Sequence, residues 1–116
     1  MIQANPTVEA VLMELSRSAQ SIMGNRLRKV ILYGSYARGD NNGYSDLDIM
    51  ILADFDEDER KTLENAIDRI ASDIGLDHDI LVSTMLNNER LFMNRLSISP
   101  FYRNVLSEGI EIHGTY

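Results

Sequence analysis

Two aspartates separated by one residue, Asp46 and Asp48, are well suited to bind a metal ion. They lie in an apolar segment expected to be a strand, where side chains at positions i and i+2 point to the same face. Two carboxylates about 4 Å apart repel by about 4 kcal/mol at an effective dielectric near 20. A divalent cation removes that repulsion, and a shell made only of oxygen ligands favours Mg²⁺, which shares its coordination with phosphates.

A third carboxylate is expected on a neighbouring strand formed by residues 77–82. Asp79 is the preferred candidate because an apolar run follows it directly. Asp77 is the alternative, since it lies on the same strand face two residues earlier. We therefore expect Asp46, Asp48 and Asp79 to converge on one cation site.

A glycine and a serine, Gly34 and Ser35, end the preceding apolar segment. Glycine lets the backbone approach a phosphate closely, the serine adds a hydroxyl donor, and a helix starting there offers free N–H groups. Arg38 lies one helical turn further on and can reach a phosphate oxygen. Alternatively, Arg38 pairs with Asp40 or Asp46 and only braces the loop. The turn is not a Walker loop, because no Gly-Lys-Ser/Thr sequence follows it.

Helical and strand patterns alternate along the chain, which indicates an α/β (α+β) protein with helices covering a small mixed sheet. The first helix is expected over Pro6–Met23, with Asn5 as its N-cap. A second long helix is expected to start with a capping box formed by Asp56 and Glu59 and to end at Gly75. The other expected elements are strands at residues 29–33, 45–52, 77–82 and 110–112, a helix at about 85–96 and a helix from Ser99 to Gly109.

Length and composition limit the classes of function. The 116 residues are expected to form a single domain, and the absence of cysteine excludes disulfide and thiolate zinc sites. Eleven basic residues against 18 acidic ones give a net charge of −7. This balance argues against direct binding of nucleic acid or of an anionic membrane. No signal peptide or long apolar stretch is visible, so we expect a cytoplasmic protein.

Two linked motifs resemble the signature of the minimal nucleotidyltransferases of the polymerase-beta superfamily: GSYARGD at residues 34–40 and SDLDI at residues 45–49. The third carboxylate of that family follows a helix and begins an apolar strand, and Asp79 matches it by position. Residues 100–110 resemble the family's closing helix and the turn after it. The resemblance covers nearly the whole chain.

The resemblance implies a polymerase-beta-like nucleotidyltransferase fold that binds ATP with Mg²⁺, two ions being expected. Asp46 and Asp48 would hold the metals, while Asp79 would complete the second metal site close to the acceptor hydroxyl. Gly34 and Ser35 would bind the triphosphate. The acceptor hydroxyl would then attack the α-phosphorus, and pyrophosphate would leave.

The acceptor is expected on another protein, because 116 residues leave no room for an acceptor-binding domain. Short chains of this type resemble the antitoxin half of toxin–antitoxin pairs in which the toxin is a HEPN ribonuclease. That resemblance implies transfer of AMP to a tyrosine hydroxyl of the toxin. One alternative is an inactive antitoxin that neutralises its toxin by binding alone. Another is a small-molecule nucleotidyltransferase that forms a homo-oligomer, in which a neighbouring subunit supplies the acceptor pocket.

Overall fold

The computed structural model describes residues 5–114, which form one four-stranded sheet with helices on both faces. This architecture confirms the predicted mixed α/β class. The strands are β1 (Leu27–Tyr33), β2 (Leu47–Ala53), β3 (Val82–Asn88) and β4 (Ile110–Gly114). The helices are α1 (Pro6–Met23), α2 (Ser35–Arg38), α3 (Arg60–His78), α4 (Glu89–Asn94) and α5 (Pro100–Glu108).

The strand order in the sheet is β3-β2-β1-β4. Strand β1 pairs antiparallel with both β2 and β4, whereas β2 and β3 are parallel. Asp48 of β2 therefore has Tyr33 of β1 on one side and Ser83 of β3 on the other. The predicted short last strand is present as β4, at the edge of the sheet.

The two faces of the sheet are covered unequally. Helices α1 and α3 pack on one face, where Leu47, Ile49 and Ile51 are completely buried. The shorter helices α4 and α5 cover part of the other face, over Met50 and Leu52. The alternation predicted for β2 is confirmed, and it places Asp48 on the α4/α5 face.

Several helix ends are where the sequence predicts them. The Asn5 side chain accepts a hydrogen bond from the Val8 N–H at 3.1 Å and so caps α1. The capping box at Asp56 and Glu59 is present in the 3₁₀ turn that precedes α3. The Ser99 hydroxyl caps α5. Within the described residues, no helix is long and apolar enough to cross a membrane.

The region after Gly75 differs from the prediction. Helix α3 continues through Gly75 to His78, and the returning chain packs its Ile80 carbonyl where a Cβ of residue 75 would lie. The next strand was expected at residues 77–82 but begins at Val82. Residues 85–88 were expected to be helical; instead they extend β3, because they pair with β2. The helix that follows, α4, begins only at Glu89.

Candidate active site

Asp46 and Asp48 lie at the start of β2, Asp46 exposed just before the strand and Asp48 half-buried within it. Burial raises the pKa of the Asp48 carboxyl, the negative charge of Asp46 raises it further, and the charge of Arg38 opposes the shift. The effect of the Asp46 charge on Asp48 means that the two carboxylates are near neighbours, as their i, i+2 spacing predicts.

Gly34 and Asp48 are in direct contact. The backbone of Gly34 has φ +77° and ψ −156°, a region open almost only to glycine. A Cβ at this position would collide with Asp48 Oδ2. The turn expected to bind phosphate thus lies against the carboxylate expected to bind the metal. Helix α2 starts immediately after this turn, at Ser35, and the first N–H groups of a helix have no acceptor within it.

Arg38 forms two ion pairs in the structure. Its Nε donates to Asp40 at 3.2 Å and its NH1 donates to Glu108 of α5 at 3.4 Å. Arg38 therefore does brace the loop through ion pairs, which was the alternative. Its pairing with a phosphate stays a prediction. Since the guanidinium is exposed, these pairs contribute little to stability.

Tyr33 lies beside Asp48, although no motif in the sequence indicates this position. It lies directly opposite Asp48 across β1 and β2, so the two side chains share a face of the sheet. Burial, followed by the charge of Asp48, raises the pKa of the Tyr33 phenol to about 12. Its position next to Gly34 was visible in the sequence, but the pairing with Asp48 depends on strand register.

The sequence predicts that Asp79 lies on a strand, and this prediction is wrong. Asp79 is the C-cap of α3, with a left-handed backbone at φ 55° and ψ 47°. The alternative, Asp77, lies within the same helix. Over residues 5–114 the structure contains no cluster of three or more His, Asp or Glu side chains that could hold a metal. In this conformation Asp79 therefore does not join Asp46 and Asp48, and its role as a ligand stays a prediction.

Asp79 lines a cleft of about 770 Å³. Tyr36, Tyr44 and Ser45 line it from the loop side, together with residues of α1 and the end of α3. Neither Asp46 nor Asp48 contributes to its wall. The cleft therefore lies between α1, the end of α3 and the loop that precedes β2.

Comparison with known protein families identifies the family of this chain. Residues 12–112, which include both motifs, match the nucleotidyltransferase domain family. The chain belongs to this family. The resemblance read from the sequence is thereby confirmed, and the chain is an enzyme of the nucleotidyltransferase type.

Two relatives of this nucleotidyltransferase come from Methanocaldococcus jannaschii. It is 36% identical over 101 residues to "Putative protein adenylyltransferase MJ0604", covering 87% of this chain and 93% of the relative. It is 38% identical over 104 residues to "Putative protein adenylyltransferase MJ0141", covering 88% of this chain and 95% of the relative. The similarity therefore extends over nearly the full length of both proteins.

Solved structures share the fold of the nucleotidyltransferase. A chain of a toxin–antitoxin crystal structure with AMP-PNP superposes with a TM-score of 0.52 at 22% identity, covering 87% of this chain and 72% of that one. A chain of the toxin–antitoxin complex MntA-HpeT gives a TM-score of 0.52 at 23% identity, covering 97% and 75%. At this level of identity the match supports the fold.

In the described conformation, the carboxylates of the nucleotidyltransferase that could share a divalent cation are Asp46 and Asp48. Asp46 and Asp48 supply an all-oxygen donor set, which suits Mg²⁺ and leaves positions for water and phosphate oxygens. Burial and, second to it, the charge of Asp46 raise the pKa of Asp48, and a bound cation would offset both by stabilising the carboxylate form. A second ion requires a further carboxylate, and Asp79 would have to leave its position at the end of α3 to provide it.

Proposed function

We propose that this nucleotidyltransferase transfers AMP from ATP, with Mg²⁺, to a tyrosine hydroxyl of a HEPN toxin in the cytoplasm, and so acts as its antitoxin. The observation that carries the proposal is the contact between Gly34 and Asp48. It brings a turn suited to phosphate against a carboxylate suited to metal. The names of the relatives support adenylyl transfer to protein, and the toxin–antitoxin complexes that share the fold support a toxin as partner.

In the proposed reaction the acceptor oxygen forms a new bond to the α-phosphorus of ATP. The bond between that phosphorus and the bridging oxygen breaks, and pyrophosphate leaves with the electron pair. Mg²⁺, when bound, stabilises the charge on the attacking and leaving oxygens.

The residues of the chain position the reactants for this step. Asp46 and Asp48 hold the cation, while the Ser35 hydroxyl and the N–H groups at the start of α2 donate to the phosphates. Arg38 exchanges its present carboxylate partners for a phosphate oxygen. Asp79 completes the second of two cation sites and accepts the proton of the attacking hydroxyl, which requires the end of α3 to move towards β2.

Transfer of label tests the proposal directly. The protein is incubated with α-labelled ATP, Mg²⁺ and the purified product of the adjacent gene, and the labelled residue is located by mass spectrometry. We expect label on a tyrosine of the partner, and none with the Asp46→Asn, Asp48→Asn double variant. Absence of label under conditions where the two proteins form a complex would refute the proposal.

The same double variant separates catalysis from neutralisation by binding alone. If catalysis is the mechanism, the variant binds the toxin but no longer protects cells that express it. If protection survives at unchanged protein levels, the enzyme neutralises its toxin by occlusion.

A further inference from the structure

Phe101 is an aromatic residue beside the site that the proposed mechanism does not use. Its ring lies edge-on against Tyr33, with centroids 5.7 Å apart and planes at 78°. Tyr33 in turn lies directly opposite Asp48. Phe101 is 42% exposed although it is a large apolar side chain. An open aromatic surface is thus separated from the metal-binding carboxylate by one side chain.

Phe101 is held in place by its helix. It is the second residue of α5, whose first turn is capped by Ser99 and whose Val105 is buried against the sheet. The next residue, Tyr102, stacks on Phe92 with ring centroids 4.4 Å apart. A ring fixed in this way loses little conformational entropy when a ligand packs on it. The surface is therefore suited to binding and not only to filling space.

We propose that Phe101 stacks against the nucleobase of the bound nucleoside triphosphate. This inference rests on the proposed function, in which the phosphates lie at Gly34 and Ser35 and the α-phosphorus lies near Asp48. The base is then one ribose away, on the sheet face that Tyr33 and Asp48 share. Stacking accepts every base but binds larger ring systems more strongly. Because a phenyl ring forms no base-specific hydrogen bond, Phe101 favours purines over pyrimidines without distinguishing adenine from guanine.

The two tyrosines that flank the loop are less suitable partners for the base. Tyr36 packs against the core on the α1/α3 side. Tyr44 is 96% exposed and lines the cleft on that same side. Neither Asp46 nor Asp48 lines that cleft, whereas Phe101 contacts Tyr33, which pairs with Asp48.

The chain has no tryptophan, so Phe101→Trp introduces a single fluorescent reporter at the proposed contact. The variant is titrated with ATP, GTP, UTP and inorganic tripolyphosphate, each with Mg²⁺. We expect ATP and GTP to quench the new fluorescence to a similar extent and more than UTP does. Tripolyphosphate, which has no base, is expected to bind without quenching.

Calorimetry of Phe101→Ala measures the contribution of the ring. A stack lost from one base weakens binding of ATP by roughly 5- to 150-fold. The affinity for tripolyphosphate is expected to stay unchanged. Phe101→Leu keeps apolar volume against Tyr33 but has no aromatic face, so it should show the same selective loss while preserving the fold. Leu106→Ala, which removes another exposed apolar side chain of α5, is the matched control and should bind both ligands normally.

The outcomes separate this inference from the proposed function. If the wild-type protein binds ATP and Phe101→Ala does not weaken that binding, or weakens tripolyphosphate equally, the stacking inference is wrong while the function stands. The same holds if Tyr44→Ala causes the selective loss instead. If the wild-type protein with Mg²⁺ binds neither ATP nor tripolyphosphate, both fail.

Discussion

The carboxylate of Asp48 occupies the space beside Gly34 that a β-carbon would need. A side chain at residue 34 would therefore force the Asp48 carboxylate to move from its position against the turn. The positive φ of Gly34 adds a second requirement for glycine. Gly24 has a similar backbone, with φ +59° and ψ −133°, but open space around it, so the two requirements can be measured separately.

We expect Gly34→Ala to abolish transfer, because the new methyl group must displace Asp48. Gly24→Ala should have only the cost of the strained backbone, about 1–3 kcal/mol in the free energy of unfolding, and should keep normal transfer. Urea unfolding and labelled-ATP assays on both variants check this. Full activity in a folded Gly34→Ala variant would contradict the packing described.

Asp48→Asn is expected to stabilise the metal-free protein at neutral pH. Burial and the charge of Asp46 raise the pKa of Asp48 above its ordinary value of 3.8. The folded state then binds the proton more tightly than the unfolded state, so the free energy of unfolding falls as pH rises from 3.8 through the raised pKa. The Asp48→Asn variant has no proton to release at this position, so its free energy of unfolding does not fall for this reason. Urea unfolding at a series of pH values should show equal stability near pH 3 and a more stable variant at pH 7.

Added Mg²⁺ is expected to reverse that order. A cation that binds the folded state stabilises it by about 2.7 kcal/mol at 100 times its Kd. Thermal unfolding with and without Mg²⁺, and again after chelation with EDTA, measures the effect. The wild-type protein should gain stability and lose it again, whereas the Asp46→Asn, Asp48→Asn double variant should not respond. An equal response of both proteins would place the cation elsewhere.

Tyr33 provides an optical test of the site geometry. Because burial and Asp48 raise the pKa of its phenol to about 12, the tyrosinate absorbance of the protein should contain a phase near that pH. Tyr33→Phe should remove this phase. Asp48→Asn should move it to lower pH, since the variant removes the smaller of the two causes. A phase unaffected by Asp48→Asn would contradict the cross-strand contact.

Variants of Arg38 and Glu108 test whether Arg38 binds phosphate or only stabilises the loop through its ion pairs. Their ion pair is exposed, so Glu108→Gln should change the free energy of unfolding very little and should not weaken ATP binding. Arg38→Ala should have a similarly small effect on unfolding but should weaken binding of ATP and tripolyphosphate alike. Equal and negligible effects of both variants on binding would leave Arg38 as a brace.

Features that depend on residues close together in the chain could be predicted from the sequence. Asn5 and Ser99 act as caps because each accepts a hydrogen bond from an N–H three residues later. The alternation of β2 follows from strand geometry alone. The pair Asp46 and Asp48 belongs to the same class, as does the turn at Gly34.

Features decided by distant partners could not be predicted. Residues 85–88 have a helical pattern but form a strand, because β2 offers them parallel hydrogen bonds. Gly75 was expected to end a helix, yet its missing side chain instead accommodates the Ile80 carbonyl. The extra helical turn that results leaves Asp79 at a left-handed cap, away from the carboxylate pair. The pairing of Tyr33 with Asp48 could not be predicted because it depends on the register of β1 and β2, which the sequence alone does not determine.

The unequal covering of the sheet has an evolutionary consequence. The larger apolar cluster joins α1, α3 and the inner face of the strands, whereas a much smaller one lies beneath α4 and α5. Most of the folding energy therefore comes from the side remote from Asp48. Substitutions of exposed residues around Phe101 should therefore cost less stability than substitutions beneath α1 and α3, so ligand preference can diverge in descendants while the scaffold stays the same.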